Sequence, residues 1–359
     1  MPASDEQQPR RRAKASKRVA TLTPRYIATT PQGLEPVLAE EARDRLAPTG
    51  LRVMSGRVVF DHAGPPQQAT KLRCPAEVWA YVREVAVPIS GERSLRVWRA
   101  KLRRTRFDGA LRALSRAGGC RAPKAMRVSV ALAPQVKVGF IDVQSSAVEA
   151  LGAASGLRPA GREADVQVRL LVESERTTIG LLLPRPDSFV LLNAPQSPLR
   201  PLAAAMLRLA QPSPQDTVLD LACGDGLLLS EWAAVGARGR YLAGDRRWRD
   251  AAATREVAQA GKLPARFAVW RAHSVPLGGG AVDACLGLLT RAARNPETAA
   301  AALCREVARL LRSGGRAVLA APRALGLPRH IQKPPLVVQR RLKVRVGDDD
   351  FDLLVAPRS

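Results

Sequence analysis

From Thr217 onward the chain alternates short aliphatic runs with stretches whose apolar positions recur at helical spacing. Val218 and Leu219 end on Asp220, a polar Gly224-Asp225-Gly226 turn follows, and Leu227 to Trp232 begins a helix-compatible run. Tyr241 to Gly244 predicts a second strand ending on Asp245, and 250–260 predicts the helix after it. Residues 266–270 and 282–288 read as third and fourth strands. A helix over 297–311 is stopped by Ser313-Gly314-Gly315, and 316–321 is a fifth strand. Segments 336–346 and 351–355, separated by Gly347-Asp348-Asp349-Asp350, predict an antiparallel pair at the sheet edge. Alternation of this kind predicts a Rossmann-like α/β domain with a parallel sheet.

The pattern ahead of it differs. Tyr26 to Thr30 reads as a strand broken by Pro31 and Gly33, and Leu34, Val37, Leu38 and Ala42 then recur on one helical face. Residues 51–53 and 57–60 predict paired strands around Ser55-Gly56. Residues 76–85 predict a second helix, with Trp79 and Val82 on one face. This order suggests a small α+β unit of ferredoxin-like type. Next, 95–98 predicts a strand, a helix carries Arg112 and Arg116, and 166–172 and 178–182 predict adjacent strands. Five prolines between 184 and 201 form a bridge, and 199–210 predicts a helix with Pro201 near its start. The boundaries expected are a disordered basic tail over 1–20, a ferredoxin-like subdomain over 21–90, a second α+β module over 91–192 and the Rossmann-like domain over 193–359.

Charge adds a partner to this layout. The net charge is +25 and the pI about 11.3, which points to a polyanion, nucleic acid or a membrane surface. The densest basic run inside the folded part is Arg99, Lys101, Arg103, Arg104 and Arg106. Guanidinium forks suit phosphate, and such contacts position a protein without reading sequence. The bland alternative is a solvated basic face. Aromatic residues make up only 4%, against wide base-stacking platforms. The five cysteines are scattered without a CxxC, and the three histidines lack partners at ligand spacing, so no metal site is expected. Reduced thiols, the lack of a secretory apolar segment and the lack of a long uncharged span point to a soluble cytoplasmic protein rather than one bound to a membrane.

The chemistry concentrates at residues 220–245. Glycine at 224 and 226 lets backbone approach a ligand, and the helix start beyond leaves N–H groups unpaired. The spacing is not the three-glycine dinucleotide fingerprint, and Asp220 would repel a pyrophosphate. A ligand with amino and hydroxyl groups fits better, and S-adenosylmethionine is the natural candidate. Asp220, Cys223, Gly224 and Gly226 form its candidate loop, although Cys223 suits small-residue packing as well. Asp245, one βα unit on, can accept hydrogen bonds from a ribose diol.

Several stretches taken together resemble the THUMP-domain RNA methyltransferases, which make N2-methylguanosine in tRNA or ribosomal RNA. The carriers are YIATTPQGLEPVLAEEA from 26, GRVVF from 56, LRVWRAKLRR from 95, ADVQVRLLV from 164, SPLRPLAAAMLRLA from 197 and DLACGDGLLLSEWA from 220. The resemblance implies that 91–192 is a THUMP-like RNA-binding domain and that 193–359 is a class I methyltransferase domain using S-adenosylmethionine. It implies a structured RNA partner, tRNA foremost, and a role in tRNA processing. Two positions depart from the family. Arg271 and its neighbours stand where an acid would hold the adenine amine, and arginine accepts no hydrogen bond. The segment 283–291 has neither the proline nor the aromatic residue of the family's base-gripping loop, which leaves Asp283 as its polar candidate for catalysis. Three functions stay open: a methyltransferase acting on guanine N2 in RNA, an RNA-binding protein with an inactive methyltransferase domain, and a small-molecule methyltransferase.

Overall fold

In the computed structural model, residues 23–185, 197–236, 238–290, 295–331 and 334–359 are described. The basic tail expected over 1–20 and part of the proline bridge lie outside them. The chain builds two sheets. The first uses β1 (Arg25–Thr29), α1 (Glu35–Leu46), β2 (Thr49–Met54), β3 (Arg57–Asp61), α2 (Pro66–Thr70) and β4 (Glu77–Val85). It continues with α3 (Glu92–Leu102), α4 (Asp108–Arg116), β5 (Ala125–Leu132), α5 (Phe140–Ser155), β6 (Arg158–Pro159), β7 (Val166–Val172) and β8 (Thr177–Leu182). Its strand order is β2-β3-β1-β4-β8-β7-β5-β6. The first four strands, met as βαββαβ, form the ferredoxin-like unit expected. Antiparallel pairing of β4 with β8 carries the sheet without a break into the second block.

Two elements of this half are of the opposite type to the sequence reading, and α2, β5, α5 and β6 are not in that reading at all. Residues 77–85 are a strand, not a helix. Trp79 and Val82 are three apart, but β4 puts Val78 and Ala80 into the main core and Trp79 and Tyr81 into a small cluster on its other face, so the apolar/polar alternation of a half-buried strand is missing. The informative signal was the density of Val78, Trp79, Tyr81, Val82 and Val85, which favours a pleated surface. Residues 95–98 are helical, not a strand. Leu95, Trp98 and Leu102 recur at helical spacing, and Trp98 and Leu102 are buried while Val97 faces solvent. The Trp98 indole N–H donates to Thr177 Oγ1 at 2.8 Å, pinning α3 to β8.

The second half starts with α6 (Arg200–Ala210), which is buried along most of its length. Then come β9 (Thr217–Asp220), α7 (Leu227–Ala234), β10 (Arg240–Asp245), α8 (Trp248–Ala260), β11 (Ala265–Val269) and β12 (Val282–Leu288). The chain closes with α9 (Pro296–Leu310), β13 (Leu311–Pro322), α10 (Pro328–Ile331), β14 (Arg340–Val346) and β15 (Asp349–Pro357). The sheet order is β11-β10-β9-β12-β13-β15-β14. The central strands are parallel, and β15 and β14 are antiparallel additions at one edge, as the hydrophobic pattern implied. The strict alternation fails once: β11 returns to β12 without a helix between them.

The halves share one apolar core, running from Leu38 and Cys74 through α6 to Leu228 and Leu286. Glu231 on α7 is buried at their junction and pairs with Arg73 at 2.8 Å and Arg200 at 3.8 Å. Burial raises the Glu231 carboxyl above its ordinary value, and the two guanidiniums only partly offset it. Arg340 on β14 meets Glu40 on α1 through two bonds of 3.1 and 2.9 Å. Gly33 lies against the same hairpin, and a Cβ there would sit 1.8 Å from the Lys343 carbonyl oxygen. Removing Arg73 takes away the shortest ion pair of a buried carboxylate and leaves Glu231 its longer contact with Arg200. Arg73→Ala should therefore lower unfolding stability by about 3 kcal/mol, read from urea denaturation of the full chain.

Candidate functional site

Outward from β9 the chain steps to β10 and β11, then crosses back to β12 on the other side. Ligands of such sheets bind at the carboxyl ends of the strands where the direction reverses. A cleft of about 1210 Å³ opens there. It is lined by the 221–225 turn, Leu227 and Leu228 of α7, Asp245 to Arg247, Arg271 to His273, and Leu288 to Thr290.

The turn is held from several sides. Gly224 and Gly226 take positive φ of 51° and 85°, conformations that favour glycine. A Cβ on Gly224 would meet nothing within 4 Å, so its absence leaves the loop surface open. A Cβ on Gly226 would stand 3.3 Å from the Thr254 methyl group of α8. The Thr254 hydroxyl donates to the Gly224 carbonyl at 2.9 Å. Asp245 accepts the Gly224 N–H at 3.3 Å and the Arg247 N–H at 3.1 Å. These bonds orient its carboxylate at the cleft edge while lone pairs remain for a diol.

The candidate loop residues divide by depth. Gly224, Cys223 and Asp245 line the cleft. Gly226 begins α7 in the left-handed region, behind the lining. Asp220 is fully buried and does not line the cleft. Its carboxyl accepts the Tyr241 hydroxyl at 3.0 Å and the Ala222 N–H at 3.3 Å. Asp220 therefore supports the turn from beneath instead of meeting a ligand. Burial raises its pKa to about 7 despite those bonds. Burial likewise pushes the Cys223 thiol up to about 12, so it is neutral packing rather than a nucleophile.

Asp283, the candidate for catalysis, is misplaced for that role. It sits at the entry of β12, five residues before the strand's cleft end, or about 16 Å at strand rise. Its oxygens accept the Thr217 N–H at 2.7 Å and the Arg312 guanidinium. Burial alone would raise its pKa, but the bonds from Arg312 and Thr217 outweigh it and hold the carboxyl below its ordinary value. Asp283 is a strand tie. At the cleft end, β12 presents Leu288, Leu289 and Thr290, with one hydroxyl and neither a carboxylate nor an amide.

The five basic positions lie on the first half, and four are exposed: Lys101, Arg103, Arg104 and Arg106. Arg99 and Arg103 share Glu149 of α5, at 3.2 and 2.5 Å, so that pair of charges is partly spent inside the fold. Lys101, Arg104 and Arg106 have no ion pair among the described residues.

Trp270 and Thr254 were missed from sequence. A Cβ on Gly244 would fall 2.4 Å from the Trp270 ring, so the missing side chain makes room for the indole. Its N–H donates to the Leu221 carbonyl at 3.1 Å and sets the start of the turn. The bare glycine before Asp245 and a tryptophan at the end of the next strand were the available signals.

Residues 218–315 match a family described as a methyltransferase domain. TrmN from Thermus thermophilus superposes with a TM-score of 0.76 at 25% identity, covering 94% of this chain and 100% of that one. A predicted N6-adenine-specific DNA methylase from Listeria monocytogenes str. 4b F2365 gives 0.66 at 15%, covering 93% and 96%. The protein SMU.472, in complex with SAH, gives 0.66 at 14%, covering 94% and 98%. No curated protein matches the chain in sequence. The second half is thus a Rossmann-like methyltransferase domain, and S-adenosylmethionine is its cofactor. The residues present fit it: a glycine turn open to the cleft, an anchored acid for hydroxyls, and leucines for apolar atoms. No group of metal ligands occurs among the described residues, and none of their helices is long and apolar enough to cross a membrane.

Asp245→Ala should weaken S-adenosylhomocysteine binding by about 1–3 kcal/mol in calorimetry, with a native circular-dichroism spectrum showing that the domain still folds. Between pH 3.8 and about 7 the folded chain keeps a proton on Asp220 that the unfolded chain releases. The contribution is therefore most favourable below the unfolded value and is lost as pH rises to about 7. Urea titrations across that range should show wild type losing roughly 4 kcal/mol more than Asp220→Asn. Parallel curves for the two proteins would mean that Asp220 titrates normally.

Proposed function

We propose that the protein transfers a methyl group from S-adenosylmethionine to a base of a structured RNA. The observation that carries the reading is the joining of the methyltransferase cleft to a basic α/β half through the buried Glu231–Arg73 contact. Phosphates would meet Lys101, Arg104 and Arg106 on that half, with Arg99 and Arg103 available if Glu149 yields them. The first half then acts as a THUMP-like RNA-binding module, with tRNA as the foremost partner and guanine N2 as the target that the sequence resemblance implies.

S-adenosylmethionine supplies an electrophilic methyl group on a sulfonium. Asp245 would orient the ribose hydroxyls, the Gly224 turn would allow backbone approach, and Leu288 and Leu289 would exclude water. The accepting nitrogen must present its lone pair in line with the methyl group and release a proton after transfer. Thr290 is the one hydroxyl at the end of β12 that could orient it, and the Leu288–Leu289 carbonyls are the other acceptors there.

A second reading keeps RNA binding and drops the transfer. It is favoured by the absence of a carboxylate or amide at 288–290 and by Arg271 in the cleft wall. Methyl-labelled S-adenosylmethionine with total RNA separates the two. Label entering RNA, and lost in Asp245→Ala, supports the enzyme; RNA binding without label supports the second reading. Reversal of Lys101, Arg104 and Arg106 to Glu should weaken binding to many RNAs alike and flatten the log–log salt dependence by about 2–3. Unchanged binding would place the RNA face elsewhere.

A further inference from the structure

We infer that Trp248 and the arginines around it form a stacking surface for unpaired nucleotides beside the cleft. The inference rests on the RNA reading above and adds where the strand runs next to the methyl-transfer site. Four of the five tryptophans are buried: Trp79, Trp98, Trp232 and Trp270. Trp248 alone is 66% exposed, at the first residue of α8. Trp248 thus presents a flat apolar ring with a polar N–H at the surface, a side chain of the kind enriched at interfaces.

The neighbourhood defines the chemistry of a partner there. Residues 246–271 carry seven arginines and lysines against two acids. Arg246, Arg247 and Arg249 flank the indole in sequence and are all exposed. The Arg249 guanidinium lies 5.7 Å from the Trp248 ring centroid, a cation–π arrangement that keeps cation and ring together. Arg247 is paired with Asp250, whereas Arg246 and Arg271 have no ion pair among the described residues. Parallel register places Val269, at the end of the edge strand, beside Asp245. Val269 is 57% exposed, a second apolar side chain left at the surface on this side of the sheet. An exposed ring with guanidiniums on each side suits a polyanion that also carries flat apolar faces, which describes a single nucleic-acid strand. A duplex offers only phosphates at such a surface, since its bases are already stacked.

Position ties this surface to the reaction. Arg246, Arg247 and Arg271 line the cleft, while Trp248 stands outside its lining. The arginines thus bridge from the cleft wall to the stacking residue. A strand whose one nucleotide enters the cleft would lay a neighbouring base on Trp248. Trp248 is a positioning residue in this arrangement, not a catalytic one.

The test uses the full-length protein and intrinsic tryptophan emission, because the one exposed indole is the one that a ligand can reach. Single-stranded RNA oligonucleotides should quench the emission, and a duplex of equal length should quench it far less. By fluorescence anisotropy, Trp248→Ala should bind the single strand about ten-fold more weakly, Trp248→Phe should retain much of the affinity, and both should bind S-adenosylhomocysteine as wild type does in calorimetry. Equal RNA affinity in wild type and Trp248→Ala, without quenching, would overturn the inference and leave the RNA reading intact. Quenching by S-adenosylhomocysteine alone, together with its weaker binding to Trp248→Ala, would make Trp248 a cofactor contact and also overturn it. Failure of wild type to bind any RNA would remove the reading on which the inference stands, and the inference with it.

Discussion

Glu231 and Arg73, buried where the two sheets meet, set the geometry on which everything else in the chain depends. Glu231 lies on α7, the helix that starts directly after the glycine turn, and Arg73 follows α2 of the first half. Arg200 at the start of α6 joins them, so three elements from both halves meet at one carboxylate. Burial of such charges costs several kcal/mol per ion unless they are paired. A displaced first half would leave Glu231 without its closest cation, so the arrangement resists sliding. The outer contact between Glu40 and Arg340 and the close approach at Gly33 restrain the same junction from the other side of α1.

The cleft inherits that rigidity. Its turn is fastened by Tyr241 through Asp220, by Thr254, and by Trp270 in the space that Gly244 leaves. None of these groups needs to touch a ligand to matter. Their effect is to hold the Gly224 backbone and the Asp245 carboxylate in a preset orientation, which lowers the ordering cost of binding. The cleft lining also carries Arg246, Arg247 and Arg271, the last standing where the resembled family has an acid, alongside Asp225, Asp245 and Asp250.

Much of this was legible along the chain. The pattern of apolar positions identified the parallel sheet, its terminal hairpin and most of the ferredoxin-like opening, because short aliphatic runs bounded by glycine, proline or acidic turns mark buried strands and helical spacing marks the helices between them. The glycine turn and Asp245 were legible too, since only certain residues permit a positive φ or an acceptor at a strand end. Strand β4 and helix α3 were not legible in the same way: apolar side chains on both faces removed the alternation from one, and Val97, exposed beside buried Trp98, imitated it in the other.

What the sequence by itself determined was the kind of elements, the class of ligand at the turn and the sign of the surface. These follow from local rules: backbone freedom, side-chain period and formal charge. The tertiary structure decided which acids reach the cleft and which are supports. Asp220, Asp245 and Asp283 are indistinguishable as residues at strand ends, yet one is sealed under the turn, one edges the cleft and one ties the far end of β12 to Arg312. It also decided which basic residues are available, because Glu149, 46 residues from Arg103, reaches it only once α5 packs on α3. Distance along the chain carries no information about such meetings; burial and packing create them.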